Sequence, residues 1–199
     1  MIVFLVISYI GGKLKSEKDK MLAGELYNAS DPLLIEERQS ACALTHRLNV
    51  TQYGDKSAYM QIISALLPNA AAKIVIEPPF FCDYGYNIYT GENVFFNFNC
   101  VLLDDMPIRI GSNVMFGPNV QIYTATHPVD AMDRRIGSEF AKPISIGNDC
   151  WIGGSAIITP GLTIGDRCVI AAGAVVTKDI PSDTIVAGNP AKPMNRNPT

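Results

Sequence analysis

Residues 146–176 read IGNDCWIGGSAIITPGLTIGDRCVIAAGAVV, and an isoleucine or a valine returns at every sixth position. Glycine often follows this residue, and a small or apolar residue recurs four places further on. Hexapeptide periodicity of this kind is typical of a parallel β-helix, in which short strands lie along the flat faces of a prism. We therefore expect the first residue of each hexad to point inward, and glycine to occupy corners that need a positive φ or a close backbone approach.

The same count of six extends upstream of this stretch. Apolar residues keep it in two further runs, which are Ile76, Cys82, Ile88, Val94 and Cys100, then Ile110, Phe116 and Ile122. Three hexads would form one triangular coil of about 18 residues. The count slips between Cys100 and Ile110, and a polar excursion interrupts it between Ile122 and Ile146.

Two pairs of cysteines share the spacing of one coil. Cys82 and Cys100 are 18 residues apart, as are Cys150 and Cys168, so each pair is predicted to stack in neighbouring coils. Neighbouring strands lie about 4.8 Å apart, which leaves a disulfide bridge conceivable. Because the chain has an odd total of five cysteines and no CxxC pair, we interpret them as reduced thiols that fill small core positions in a cytoplasmic protein.

The segment before the repeats divides into two parts. Residues 1–14 are predicted to be an extension of uncertain role with no part in the fold, because their apolar run is shorter than the roughly 20 residues that span a bilayer and lacks the basic start of a signal peptide. Attachment to a membrane surface is the alternative. Residues 15–70 are predicted to form an N-terminal helical cap, with a helix start at SDP (residues 30–32) and a stop at Pro68.

Residues 71–199 are predicted to form the β-helix domain, whose C-terminal tail would leave the last coil. The fold class expected from the sequence is thus mainly β. The net charge of −3, with no run of basic residues, gives no indication of a nucleic-acid partner.

Several longer motifs narrow the family. They are MLAGELYNASDP (21–32), EPPFFCDYGYNI (77–88), NFNCVLLDD (97–105), IYTATHP (122–128) and GAVVTKDIP (173–181). Together they resemble the maltose/galactoside O-acetyltransferases, which are left-handed parallel β-helix acyltransferases. The resemblance covers residues 15–193. It implies a homotrimer with active sites between neighbouring subunits, no resident metal, and acetyl transfer from acetyl-CoA to a sugar hydroxyl.

His127 is the candidate general base. A hydroxyl needs a base to attack a thioester, and histidine titrates near neutral pH. The chain has only two histidines, and His46 falls in the helical segment. From the residues alone, a turn histidine held by backbone contacts is an equal alternative, whereas the family's base matches the histidine of THP. The absence of a Ser/His/Asp set or a candidate nucleophilic cysteine favours direct attack in a ternary complex.

The resemblance also implies contacts to the acceptor. Asn97 would contact the acceptor hydroxyl and help to stabilise the transition state. Asp83, Asp105 and Glu139 match positions that contact the sugar. Phe95 stands where some relatives have tyrosine, and either Asn28 or Ala29 stands where relatives have aspartate.

Contacts to CoA follow from the same resemblance. The N–H of Gly154 would stabilise the oxyanion of the thioester carbonyl. The remaining matched positions are Ala172, Thr177, Lys178, Lys192 and Asn195. Lys192 falls where relatives often carry arginine, so the charge is kept without the planar fork of a guanidinium.

Three other functions are alternatives. One is a xenobiotic acetyltransferase of the same superfamily, against which the ELYNASDP segment argues. A β-helix carbonic anhydrase would need three zinc-binding histidines, one more than the chain has. A non-catalytic scaffold would leave His127 and Asn97 without a role.

Overall fold

The computed structural model describes residues 9–10, 13–51 and 54–194. Most of the predicted extension at 1–14 therefore lies outside the described residues. The helices are α1 (Glu17–Leu22), α2 (Pro32–Val50), α3 (Lys56–Leu66) and α4 (Ala131–Arg135). Asp31 caps α2 by accepting hydrogen bonds from the N–H groups of Leu33 and Leu34 at 3.0 and 3.4 Å, and Pro32 occupies the first turn, as the SDP motif predicted.

Twenty-one short strands make up the rest of the regular structure of these residues. The first three are β1 (Tyr9–Ile10), β2 (Lys13–Leu14) and β3 (Tyr27–Asn28). Next come β4 (Ile74–Ile76), β5 (Phe80–Cys82), β6 (Ile88–Thr90), β7 (Val94–Phe96), β8 (Cys100–Leu103), β9 (Ile108–Ile110), β10 (Met115–Phe116), β11 (Gln121–Tyr123) and β12 (Ala125–Thr126). The last are β13 (Ser138–Ala141), β14 (Ile144–Ile146), β15 (Trp151–Ile152), β16 (Ile157–Ile158), β17 (Thr163–Ile164), β18 (Val169–Ile170), β19 (Val175–Val176), β20 (Ile185–Ala187) and β21 (Lys192–Met194).

Three parallel sheets form the faces of the predicted β-helix. Face 1 holds β4, β7, β10, β15, β18 and β20, with β21 added antiparallel at its end. Face 2 holds β5, β8, β11, β16 and β19, and face 3 holds β6, β9, β14 and β17. Since consecutive strands of the chain move from face 1 to face 2 to face 3, each circuit adds one coil. The prediction of a parallel β-helix is confirmed.

The length of a coil is not constant, and one predicted cysteine pair is wrong for that reason. Ile146 pairs with Ile164, 18 residues on, as predicted. In the first coils, however, Phe80 pairs with Cys100 and Cys82 with Leu102, a spacing of 20 residues. Cys82 and Cys100 therefore do not stack. The N–H of Trp151 bonds to the carbonyl of Cys168, which keeps Cys150 and Cys168 in the same column, and all five thiols are free.

The two backbone properties expected of glycine, a close approach and a positive φ, occur at different residues of a corner. A Cβ on Gly147 would lie 2.6 Å from the backbone nitrogen of Asp166 in the next coil, so this position needs a close approach. The positive φ falls two residues later, at Asp149 (57°), and Asn113 takes the same conformation one coil earlier. Asn113 Nδ2 donates to Asp149 Oδ1 at 3.0 Å. Side-chain hydrogen bonds between coils thus stabilise corners where the backbone is left-handed.

Both ends of the β-helix are covered. At the first end, α2 and α3 add Leu48, Ile63 and Leu66 to the core that runs through the prism, and the hydroxyl of Tyr59 donates to the carbonyl of Ile76 at 3.0 Å. At the other end the predicted tail does not leave after the last repeat, because Ile185–Ala187 continues face 1 before Lys192–Met194 turns back. These contacts cover strand edges whose backbone N–H and C=O groups would otherwise be exposed. The division at residues 70 and 71 stays a prediction.

No helix within the described ranges combines the length and apolarity needed to cross a bilayer.

Candidate active site

Extra residues accumulate at one corner of the prism, between faces 2 and 3. Ile158 and Ile164 hold equivalent inward positions on the two sides of this corner in a regular coil, six residues apart. The corresponding steps are eight residues from Cys82 to Thr90, eight from Leu102 to Ile110 and 24 from Ile122 to Ile146. We call the three inserted segments, residues 83–87, 103–107 and 123–143, the loop corner. Asp83, Asp105, His127 and Glu139 all lie on it.

A buried phenol connects two of these carboxyls. The hydroxyl of Tyr27 lies 2.7 Å from Oδ1 of Asp105 and 3.1 Å from Oε2 of Glu139. Tyr27 and Asp105 are 2% and 4% exposed. Within the described residues, Oδ2 of Asp105 is buried without a hydrogen-bond partner. Both carboxyls belong to the predicted site, whereas no sequence pattern indicated Tyr27.

Asp83 lies against the same cluster. Burial first, and then the charge of Asp105, raise the pKa of Asp83 to about 7. The guanidinium of Arg38 acts in the opposite direction, and its Nη1 donates to the hydroxyl of Tyr84 at 2.7 Å. A carboxyl with a raised pKa beside another carboxyl holds a proton that both can share.

Asp104 holds the backbone of this corner through hydrogen bonds. Its Oδ1 accepts hydrogen bonds from the N–H groups of Asp83 and Tyr84 at 3.0 and 2.9 Å, and its Oδ2 accepts from the N–H of Asn87 at 3.3 Å. Burial raises the pKa of Asp104 to about 8, although the N–H of Tyr84 favours the ionised form. The buried carboxyl therefore holds the backbone of the first inserted segment. The only sequence signal for this role of Asp104 is the pair of adjacent acids in the LLDD run.

His127 is positioned by a small antiparallel sheet. Strand β12 ends at Thr126, which pairs with Phe140 of β13, and β13 in turn pairs Glu139 with Tyr27 of β3. Extending this register by one residue places His127 opposite Glu139. The side chain of His127 is exposed, as is that of His46 on α2. His127 thus stands at the rim of the carboxyl cluster, whereas His46 belongs to a different part of the surface.

Of the other predicted acceptor residues, Phe95 lies within β7 on face 1, and Asn97 lies at the corner between faces 1 and 2. Asn97 follows β7, and its Oδ1 accepts a hydrogen bond from the N–H of Phe98 at 2.8 Å. Asn97 and Phe95 line a groove of about 910 Å³ together with Tyr59. Gly154 follows β15 at this corner, where it lies over Pro118. Ala172 follows β18 in the next coil. Extending the strand register places Gly154 and Ala172 in one column with Phe98, and Asn97 lies one residue before that column at the same corner.

The two corners stand at opposite ends of face 2. Strand β8 alone spans about 10 Å, at about 3.3 Å per residue, and it separates Asn97 from Asp105. The structure does not bring these two residues together within one chain. Thr177 and Lys178 are exposed and follow β19, at the loop corner.

Lys192 and Asn195 belong to the C-terminal segment. Lys192 is exposed in β21, opposite Ala187. Asn195 lies outside the described residues.

Comparison with known proteins agrees with this geometry. A family model of the maltose acetyltransferase hexapeptide capping motif matches residues 20–70, and a model of the hexapeptide repeat of succinyl-transferase matches residues 143–178. A maltose O-acetyltransferase from Clostridium difficile 630 has 48% identity and a TM-score of 0.90, over 93% of this chain and 99% of that one. A galactoside acetyltransferase in complex with coenzyme A has 35% identity and a TM-score of 0.84, over 91% of this chain and 90% of that one.

A relative from Lactococcus lactis carries the name galactoside O-acetyltransferase. It is 38% identical over 179 residues, which cover 89% of this chain and 86% of the relative. The likeness spans the helical segment as well as the repeats. This chain is therefore a member of the maltose/galactoside O-acetyltransferase family, the hexapeptide-repeat acetyltransferases with a parallel β-helix.

Proposed function

We propose that this acetyltransferase moves an acetyl group from acetyl-CoA to a hydroxyl of a sugar such as maltose, glucose or a galactoside. The observation that carries the proposal is the small sheet, in which β12 ends immediately before His127 and Glu139 pairs with Tyr27, whose hydroxyl contacts Asp105. An exposed imidazole beside hydrogen-bonding carboxyls suits an acceptor rich in hydroxyl groups. The solved galactoside acetyltransferase with bound coenzyme A supports the choice of donor.

His127 acts as the general base in this proposal. It takes the proton of the acceptor hydroxyl while the oxygen forms a bond to the carbonyl carbon of the thioester. The carbon–sulfur bond then breaks, and the thiolate of CoA leaves as it takes that proton from His127. Asp83, Asp105 and Glu139 accept hydrogen bonds from other sugar hydroxyls, and Phe95 packs against the acceptor.

The thioester belongs to the opposite corner. The N–H of Gly154 stabilises the negative charge that develops on the carbonyl oxygen, and Asn97 holds the acceptor hydroxyl. Ala172, Thr177 and Lys178 contact the pantetheine and nucleotide parts. The ammonium of Lys192 lies near the phosphates, and Asn195 is proposed as a further contact.

A homotrimer completes the site. Asn97 and His127 lie at opposite ends of face 2, so a neighbouring subunit supplies the partner corner. Face 1 offers a surface for contact, because its outward residues Val75, Met115 and Trp151 are apolar and between 47% and 54% exposed. Burial of such side chains is a favourable term in assembly. The five free thiols fit a cytoplasmic location.

The proposal is tested by measuring CoA release with acetyl-CoA and a panel of maltose, glucose and a galactoside. Chloramphenicol serves as the comparison acceptor for a xenobiotic acetyltransferase. We expect release with at least one sugar and none above background with chloramphenicol. Release with chloramphenicol alone would favour the xenobiotic alternative. Failure to bind acetyl-CoA at all would instead favour a scaffold.

A further inference from the structure

Tyr27 links the N-terminal segment to the loop corner in two ways. Its backbone belongs to β3, where it stands opposite Glu139 in the antiparallel pairing with β13. Its side chain crosses to Asp105, 78 residues further along the chain. The other neighbour of β13 is β12, which ends immediately before His127. One residue therefore contacts both the excursion that carries the base and a carboxyl of the acceptor site.

The hydroxyl of Tyr27 acts as a donor. Burial, followed by the charge of Asp105, raises the pKa of Tyr27 well above its usual range, so that the phenol keeps its proton. A phenol has one proton to donate, and Oδ1 of Asp105 is the nearer acceptor, at 2.7 Å against 3.1 Å for Oε2 of Glu139. This hydrogen bond fixes which oxygen of Asp105 is engaged.

The second oxygen of Asp105 is consequently held in place. Oδ2 is buried without a donor among the described residues, unless Asp83 is protonated and donates to this carboxyl. A buried acceptor without a partner is costly, so an incoming hydroxyl that donates to it gains more than it would at an exposed carboxyl. That gain requires the carboxyl to keep its orientation.

We propose that Tyr27 is a positioning residue for the acceptor site, which fixes Asp105 through its hydroxyl and the His127 excursion through its strand. The inference rests on the proposed sugar acetylation. Tyr27 does not touch the reacting atoms. Its removal is expected to weaken the use of the acceptor while leaving the donor contacts of Gly154 and Ala172, which lie at the other corner, unchanged.

The test is Tyr27→Phe, which keeps the ring and removes the hydroxyl. We expect kcat/KM for the sugar to fall roughly 10- to 100-fold, the effect of losing a hydrogen bond to a charged group, with KM for acetyl-CoA unchanged. The matched control is Tyr86→Phe. Tyr86 lies in the first inserted segment, but its hydroxyl donates to Glu37 of α2 at 2.7 Å and not to an acid of the acceptor site, so its loss should change kcat/KM for the sugar less than twofold.

A double-mutant cycle separates positioning from general damage to the fold. Tyr27→Phe lowers log(kcat/KM) for the sugar by a certain amount in the wild type. In an Asp105→Asn background the decrease should be less than half as large, because the two residues act through one contact. Equal losses in both backgrounds, or a Tyr27→Phe enzyme within twofold of wild type, would overturn the inference. If the wild type releases no CoA with any sugar, the proposed function fails instead. In that case the unfolding midpoints of the same four proteins show whether the two side chains are coupled. If the midpoint shifts of the two single variants add up to the shift of the double variant, the inference is overturned as well.

Discussion

The ring of Phe96 stacks on the ring of Phe116, with centroids 4.7 Å apart and planes inclined by 4°. The two residues belong to face 1 in consecutive coils. Phe80, from face 2, meets Phe96 edge-on with centroids 5.7 Å apart. All three side chains are at most 1% exposed. Aromatic rings thus fill the interior of the coils that carry extra residues, next to the helices that cover this end.

Replacing Phe96 by alanine should therefore strongly destabilise the fold. The change removes one stacked and one edge-on contact and leaves a cavity, so the free energy of unfolding should fall by about 3–5 kcal/mol. Urea titration at a fixed protein concentration measures this difference. Ile136→Ala is the control, because Ile136 is 76% exposed and its truncation should change stability by at most about 0.5 kcal/mol. Equal effects of the two changes would contradict this account of the core.

Stability should also decrease as the pH rises from about 4 to about 8. The pKa of Asp104 is raised from 3.8 to about 8 by burial, and that of Asp83 to about 7. A carboxyl whose pKa is higher in the folded than in the unfolded chain binds its proton more tightly when folded. The contribution of this carboxyl to the free energy of unfolding is complete below about pH 4, which is its pKa in the unfolded chain. The contribution is lost as the pH rises through its pKa in the folded chain.

Asp104→Asn tests this dependence, because an amide oxygen can still accept the N–H of Tyr84 but does not titrate. The free energy of unfolding of the wild type should fall between pH 6 and pH 9, and that of the variant should fall less. Asp133→Asn, a change of an exposed carboxyl on α4, should leave the wild-type slope intact. A variant with the same slope as the wild type would show that Asp104 does not titrate in this range.

The repeats could be predicted from the sequence because the inward position of a hexad admits few residue types. Counting failed only at the first insertion of two residues, between Cys82 and Ile88. Each hexad has two inward positions, and a slip of two moves Ile88, Val94 and Cys100 from one to the other without breaking the count of six. Ile88 pairs with Ile108, whereas the continuation of the register of Cys82 is Thr90. Since both inward positions carry apolar residues, the sequence pattern looks the same before and after this slip.

The site could be predicted only in part. Asp83, Asp105 and Glu139 share the loop corner, and motif matching found them. Tyr27 and Arg38 belong to the helical segment, and their contacts with the corner depend on how that segment lies against the β-helix. No local spacing encodes such contacts between distant parts of the chain. The placement of Asn97 at the opposite corner likewise depends on the three-dimensional circuit.

His127→Ala should remove most of the turnover. General base catalysis contributes typically about 10²–10⁴-fold, so kcat should fall within this range while affinity for acetyl-CoA, measured by calorimetry, stays the same. His46→Ala removes the other histidine, which is also exposed, and should retain wild-type kcat. If His127→Ala keeps more than about a tenth of the wild-type kcat, its contribution is under about 1.4 kcal/mol, and the base has to be sought among the carboxyls of the loop corner, beginning with Asp105.

Sharing of the site between subunits should appear as complementation. His127→Ala and Asn97→Ala chains are co-expressed with different tags, and trimers that carry both tags are purified. If each site takes His127 from one subunit and Asn97 from its neighbour, every mixed ring contains one intact site. Random assembly of equal amounts would then restore about a quarter of the wild-type activity per subunit in the unfractionated pool, since about three quarters of closed rings are mixed.

The control for complementation pairs His127→Ala with a chain that carries both substitutions. No arrangement of those chains puts an intact imidazole in any site, so activity should stay at the level of the His127→Ala homotrimer. Restored activity in the first mixture alone requires that the two corners of face 2 meet across a subunit boundary, because a rigid β-helix cannot fold one end of β8 onto the other. Absence of restoration in verified mixed trimers would place both residues in a site within one chain, or remove Asn97 from the reaction.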